Sequence, residues 1–127
     1  QWTQARRRVA GWYLERWSRW AGLQSLGTPQ IAHPGHVYHI FGIRLSHGVS
    51  RGAIQQFMKE CGVETAVRYP YPLHKLPALR DYLDGQPGPF PNAEAWADQG
   101  LTLPIYPEMT EAQVDHVCQS LTKMTQG

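Results

Sequence analysis

The sequence predicts an α+β fold, a small sheet covered by helices, in one domain of 127 residues. Three observations carry that expectation. The run VYHIFGIRL, residues 37–45, is nearly continuous in apolar side chains, as a central strand covered on both sides would be. Apolar residues recur at helical spacing from Trp2 to about Ala21, and again from Val114 to Leu121. Between those two stretches a strand, a helix and a second strand succeed one another. That is the order of a βαβ crossover or of a split α+β sheet.

The first helix is expected over residues 1–21, with Val9, Tyr13, Trp17 and Trp20 on one stripe and arginines elsewhere around the cylinder. Gly22 to Gly35 reads as irregular, punctuated by Gly27, Pro29, Pro34 and Gly35. The strand Val37–Leu45 follows. Ser50 is placed to cap a helix from Arg51 to Cys61, whose stripe is Ile54, Phe57, Met58 and Cys61, with Gly62 as the left-handed stop. Val63, Thr65, Val67 and Tyr69 alternate with Glu64, Ala66 and Arg68, the period of a strand with one buried face. Pro70 ends it, having no N–H to donate.

Beyond the loop after Pro70, Ala78–Leu83 reads as a short helix and Gly85–Pro91 as an extended, turn-rich connection. Asn92 is expected to cap a short helix, with Glu94 in the favourable first turn. That position accounts for Glu94 without any ligand. Leu101–Ile105 reads as a short strand closed by Pro104 and Pro107. Thr110 and Gln113 form a capping box ahead of a last helix with the stripe Val114, Val117, Cys118 and Leu121.

Composition narrows the function classes. A formal net charge of +2 is too small to argue for nucleic acid. The triplet Arg6–Arg7–Arg8 lacks the wider basic surface such binding needs and reads as a solvated helix face. Cys61 and Cys118 have no metal spacing and read as reduced, buried thiols in a cytoplasmic protein. No apolar run approaches the roughly 20 residues of a membrane span. His33, His36 and His39 repeat every third residue, but that offset sends neighbours in a strand to opposite faces, so no metal site is expected. The chain opens on Gln1 with a helix already under way, which suggests a piece of a longer protein.

The stretch Val63–Pro77, VETAVRYPYPLHKLP, concentrates the chemistry. Tyr69, Tyr71, His74 and Lys75 put two phenols, an imidazole and an ammonium on a stiff proline-framed loop at a strand end, a surface suited to a polar ligand. A proline-rich connection whose aromatics fill a small core is the competing reading. No GxGxxG, P-loop, HExxH or GxSxG motif is present. None of Lys59, Lys75 and Lys123 sits where the sequence suggests desolvation.

In combination, RVAGWY, VYHIFGIRL, RYPYPLHKLPA and FPNAEAWADQGLTLPIYPEMTEAQV resemble the C-terminal part of the DegT/DnrJ/StrS-type sugar aminotransferases, from about Arg6 to Leu121. Trp12, Trp17 and Trp20 are heavier than that family leads one to expect. The resemblance implies the small domain of a pyridoxal-phosphate enzyme of the aspartate-aminotransferase fold. That enzyme moves an amino group from an amino acid to a keto-sugar nucleotide, usually as a homodimer. It implies substrate-binding roles for Tyr69, Tyr71 and His74, and for Lys75 against a diphosphate. The Schiff-base lysine, the acid that pairs with the pyridine nitrogen and the phosphate cup would lie in a large N-terminal domain. No pyridoxal phosphate, catalytic residue or metal is therefore expected on this chain alone. The alternative is a stand-alone or degenerate relative acting as a binding module, through its tryptophan-rich first helix.

Overall fold

A computed structural model describes residues 1–30, 33–83 and 88–125, Arg80 without its side chain. The elements are helix α1 (Trp2–Arg19), helix α2 (Ala21–Leu26), strand β1 (Gly27–Pro29), strand β2 (Phe41–Leu45), helix α3 (Arg51–Glu60), helix α4 (Pro91–Gln99), strand β3 (Gly100–Leu103) and helix α5 (Glu111–Lys123). The three strands lie in the order β1-β2-β3, every pair antiparallel. Every strand pairing among the described residues is antiparallel, so the βαβ crossover between directly paired parallel strands left open by the sequence is not formed.

Phe41, Ile43 and Leu45 of β2 alternate into the core with Leu101 and Leu103 of β3, under Val9, Tyr13 and Trp17 of α1 and Val114, Val117 and Leu121 of α5. The expected apolar stripe of α1 is thus core, except that Trp20 is only half-buried. Tyr13 is fully buried and stacks on Phe41 with ring centres 4.6 Å apart. Its hydroxyl donates to the Pro104 carbonyl at 2.9 Å. Burial pushes the phenol far above its ordinary pKa, so it stays a donor. Arg16 clamps α1 to α5, reaching Asp115 at 2.7 Å and Glu111 at 2.6 Å. The hydrogen bond to Asp115, before other causes, holds its guanidinium more firmly protonated.

The other face of β2 is not covered throughout, contrary to the expectation of a strand enclosed on both sides. Arg44 is exposed, and only Gly42 is roofed. The roof is Trp96 of α4: a Cβ on Gly42 would lie 2.6 Å from the indole. That close approach requires glycine.

Several boundaries differ from expectation, among them β3, which runs Gly100–Leu103 rather than Leu101–Ile105. The strand begins at Phe41 rather than Val37, because Tyr38 takes φ +49°, outside the extended region. The stretch after Ala21 is not irregular. It forms α2 and then β1, whose Pro29 is tolerated on a sheet edge. Asn92 does not cap α4; Phe90 holds that position and Pro91 supplies the first helical residue with its fixed φ. The expected helix 78–83 is a 3₁₀ run, Pro77–Tyr82. The connection expected at 85–91 lies partly outside the described residues.

The expected strand Val63–Tyr69 makes only one bridge, between Ala66 and Thr102 of β3. The next positions of that ladder are blocked. Two residues along β3, Pro104 has no N–H. Two residues back, Gly100 gives its N–H to the Trp96 carbonyl and its own carbonyl to Arg51. Beyond that single bridge the segment leaves the sheet and bends at Arg68 and again at Pro70. The remaining caps form as expected: Ser50 accepts from the Ala53 N–H, Gly62 takes φ +75°, and Thr110 and Gln113 complete their reciprocal pair.

Tyr13→Phe should lower unfolding stability by about 1–2 kcal/mol, because the Pro104 carbonyl loses its buried donor while the aromatic packing stays. Urea unfolding of the two forms, followed by tryptophan fluorescence, measures the difference. An unchanged midpoint would mean that the hydroxyl bond contributes nothing.

Candidate functional site

The loop after that segment is stiffened twice. Pro70 and Pro72 restrict the backbone, and Leu73–Lys75 closes into a 3₁₀ turn in which the Lys75 N–H meets the Pro72 carbonyl at 2.9 Å. The turn separates its side chains. Tyr69 and Tyr71 stand outward, 61% and 68% exposed, and neither phenol has a hydrogen-bond partner among the described residues. His74 turns inward and keeps only 6% of its side-chain exposure. Its ring lies 4.9 Å from that of Phe90, at the entrance to α4.

Glu94, in the first turn of α4, ties this loop down. One carboxylate oxygen lies 2.9 Å from His74 Nε2 and the other 3.1 Å from Lys75 Nζ. The bond to Lys75 first, then that to His74, lowers the Glu94 pKa below its ordinary 4.5. An ionised carboxylate only accepts, so Nε2 is the nitrogen that carries a proton. Helix α4 is held where it can present Glu94: the Glu94 N–H bonds the Phe90 carbonyl at 3.0 Å, and Trp96, two residues on, sits over Gly42.

Of the residues singled out by sequence, the structure brings His74 and Lys75 together on one carboxylate and leaves Tyr69 and Tyr71 free in solvent. The turn thus divides the side chains of the loop. Its phenols line a surface, while its imidazole is packed away. The partners of Glu94 were missed, because its place in a helix start already explained it. Only the facing of the loop and the start of α4, 20 residues apart in sequence, reveals them.

A groove of about 720 Å³ opens beside the base of the loop, between residues 62–68, the end of β3 and the start of α5. Arg68 lines it, but Tyr69, Tyr71, His74 and Lys75 do not. Its imidazole, carboxylate, guanidinium and amide groups are spent or peripheral. His116 Nε2 bonds the Cys61 carbonyl at 2.9 Å, Gln113 serves the capping box, and His39, Glu64 and Arg68 are exposed at the rim. No acid or base is desolvated in it, so the groove offers shape without evident chemistry.

The other reactive side chains are accounted for locally. His33 and His36 each accept a backbone N–H through Nδ1, from Gly35 at 3.0 Å and Tyr38 at 3.1 Å. Among the described residues no three His, Cys, Asp or Glu side chains converge as a metal site. Both cysteines are free; Cys118 is buried, as expected, and Cys61 only partly so. Burial pushes the Cys118 thiol up to about 12, which leaves it un-ionised and unreactive at neutral pH. Arg7 of the basic triplet bonds the Gly35 and His36 carbonyls rather than standing only in solvent. All three lysines are exposed, and Lys75 is paired. A lysine that holds an aldehyde cofactor needs a desolvated setting, so these residues do not fit pyridoxal phosphate by themselves. No helix among the described residues is long and apolar enough to cross a membrane.

The model of the DegT/DnrJ/EryC1/StrS aminotransferase family matches residues 1–122. The chain is 33% identical over 125 residues to a pleiotropic regulatory protein of Geobacillus stearothermophilus, covering 97% of this chain and 32% of that protein. It is 30% identical over 126 residues to dTDP-3-amino-3,6-dideoxy-alpha-D-galactopyranose transaminase of Aneurinibacillus thermoaerophilus, covering 94% of this chain and 31% of the relative. The fold superposes on DesV of S. venezuelae, solved with a ketimine intermediate, with a TM-score of 0.76 at 28% identity, over 99% of this chain and 32% of DesV. The chain thus spans about a third of the length of the curated relatives it matches.

Because the folded Glu94 pKa lies below its unfolded value, the tie to His74 and Lys75 contributes fully above the ordinary 4.5 and is lost as pH falls through the lowered value. A carboxyl ¹³C titration of Glu94 should place its midpoint below 4.5, and Lys75→Met should move it back up. A midpoint at or above the ordinary value in the parent chain would contradict the geometry.

Proposed function

This chain belongs to the DegT/DnrJ/EryC1/StrS aminotransferase family, and on that premise we propose that it is the C-terminal, small domain of a pyridoxal-phosphate-dependent nucleotide-sugar aminotransferase. The match across residues 1–122, about a third of the relatives' length, carries the reading. The parent moves an amino group from an amino acid to a keto-sugar nucleotide. Pyridoxal phosphate, when bound, supplies the electron sink for that chemistry, and the large domain supplies its lysine, acid and phosphate cup. The parent works as a homodimer in the cytoplasm, a compartment consistent with the free thiols Cys61 and Cys118.

The part played by this chain is the loop Tyr69–Lys75. Tyr69 and Tyr71 stand free to hydrogen-bond sugar hydroxyls or phosphate oxygens, and the Lys75 ammonium meets the diphosphate as a mobile point charge. His74 serves the substrate by fixing the loop's shape rather than by reaching out of it, since its ring is enclosed. One domain thus supplies orientation and charge, and the other the reacting centre.

Two measurements test the proposal. The full-length natural protein should transfer an amino group to a keto-sugar nucleotide, and Tyr71→Phe should raise its KM for that substrate several-fold, about the loss of one hydrogen bond. Residues 1–127 alone, mixed with pyridoxal phosphate and reduced with borohydride, should show no selective labelling of Lys75 over Lys59 and Lys123 by mass spectrometry. Selective fixation on Lys75 would mean that the cofactor has been assigned to the wrong half.

A further inference from the structure

We propose that Glu94 is the positioning residue of the substrate loop. Its carboxylate fixes the His74 turn and holds the Lys75 ammonium in place until the diphosphate of the nucleotide sugar takes it over. This rests on the loop's role given under Proposed function, and adds a residue from a different element.

Four observations lead to it. The two carboxylate oxygens are divided between consecutive loop residues, so a single side chain fixes both the direction of the turn and the start of the Lys75 stem. The His74 ring is enclosed by Phe90 and bonded at Nε2, which makes it the fixed end of the arrangement. The Lys75 side is the releasable end. Its side chain is 56% exposed, and a solvated ion pair of this kind is weak enough to exchange for a more highly charged partner. Finally, Glu94 is presented by a helix that cannot slide towards the sheet, because Trp96 already fills the space above Gly42. The loop is therefore set by α4, not by its own prolines alone.

Glu94 touches no substrate in this arrangement, so it acts through Lys75 and the loop backbone. Losing it should affect the binding of one substrate and leave the other alone. The test is steady-state kinetics of the full-length natural protein carrying Glu94→Ala or Glu94→Gln, with Lys75→Met as the loop control, and the His74 ring ¹⁵N spectrum of each. Glu94→Ala should raise KM for the nucleotide sugar about tenfold, with KM for the amino donor within about twofold and kcat within about threefold. Glu94→Gln, nearly isosteric and with one acceptor oxygen left, should fall between. Its ring spectrum should still report a proton on Nε2, whereas Glu94→Ala should release that tautomer.

An unchanged sugar KM in Glu94→Ala, while Lys75→Met raises it, overturns the positioning role and leaves the loop's function standing. If Lys75→Met also leaves it unchanged, the loop reading itself fails. Equal losses for both substrates, or a fall in kcat alone, would make Glu94 a stabilising residue and sink the proposal. Should Glu94→Ala fail to fold, the same kinetic outcomes in Glu94→Gln support or overturn the positioning role in its place.

Discussion

The phenol of Tyr13 joins the first helix to the far end of the sheet, and the layout of the domain follows from that one attachment. Its ring stacks on Phe41 at the start of β2, and its hydroxyl reaches the carbonyl of Pro104, just beyond β3. An apolar side chain at this position would pack equally well, but Pro104 would be left with an unpaired carbonyl under a helix. Pro104 is also the residue whose missing N–H blocks one of the two neighbouring positions at which residues 63–68 would extend the sheet. The end of β3 is thus fixed from both sides. A core tyrosine satisfies its acceptor, and a proline denies a donor to the next strand. What remains beyond that edge is a segment held by one bridge at Ala66 that then bends into the loop.

On the opposite face a second contact decides where the loop comes to rest. Gly42 leaves β2 without a side chain at one position, and the Trp96 indole fills the gap. Helix α4 is positioned by that contact, and Glu94 is carried with it to the His74–Lys75 turn. Changing Gly42 to any larger residue would therefore act at a distance, by lifting the helix that holds the carboxylate. The Tyr13 side of the sheet gives the domain its stability, and the Trp96 side gives the loop its geometry.

The sequence made the local features legible wherever one periodicity or one cap decides the outcome. Helix α1, the capped starts of α3 and α5, the Gly62 stop and the apolar half of β2 all follow from patterns within a few residues. It failed where a distant residue intervenes. Alternation from Val63 to Tyr69 was a sound strand signal, yet the pairing partners had been taken by Trp96 and Arg51 or removed by Pro104. β1 was too short, and too rich in glycine and proline, to be recognised without its neighbour. Tyr38 entered a left-handed conformation that its composition does not announce. At the site, the residue types on the loop were readable, but their division into an enclosed imidazole and exposed phenols was not. That division depends on Phe90 and Glu94, which belong to another element.

These contacts also separate what the chain can organise from what it cannot. The loop's shape is settled internally: prolines limit its backbone, a 3₁₀ turn sorts its side chains, and a carboxylate from a packed helix holds two of them. The chemistry of amino transfer is different in kind, since it needs a desolvated lysine and a buried acid, and every lysine of this chain is exposed. On the function proposed above, a pre-shaped, water-facing loop set apart from the reacting centre would make binding energy available at a distance from the bond being changed. Loss of the Glu94 carboxylate would remove both ties on the loop while the core packing stays, so it would free the loop before it altered the fold.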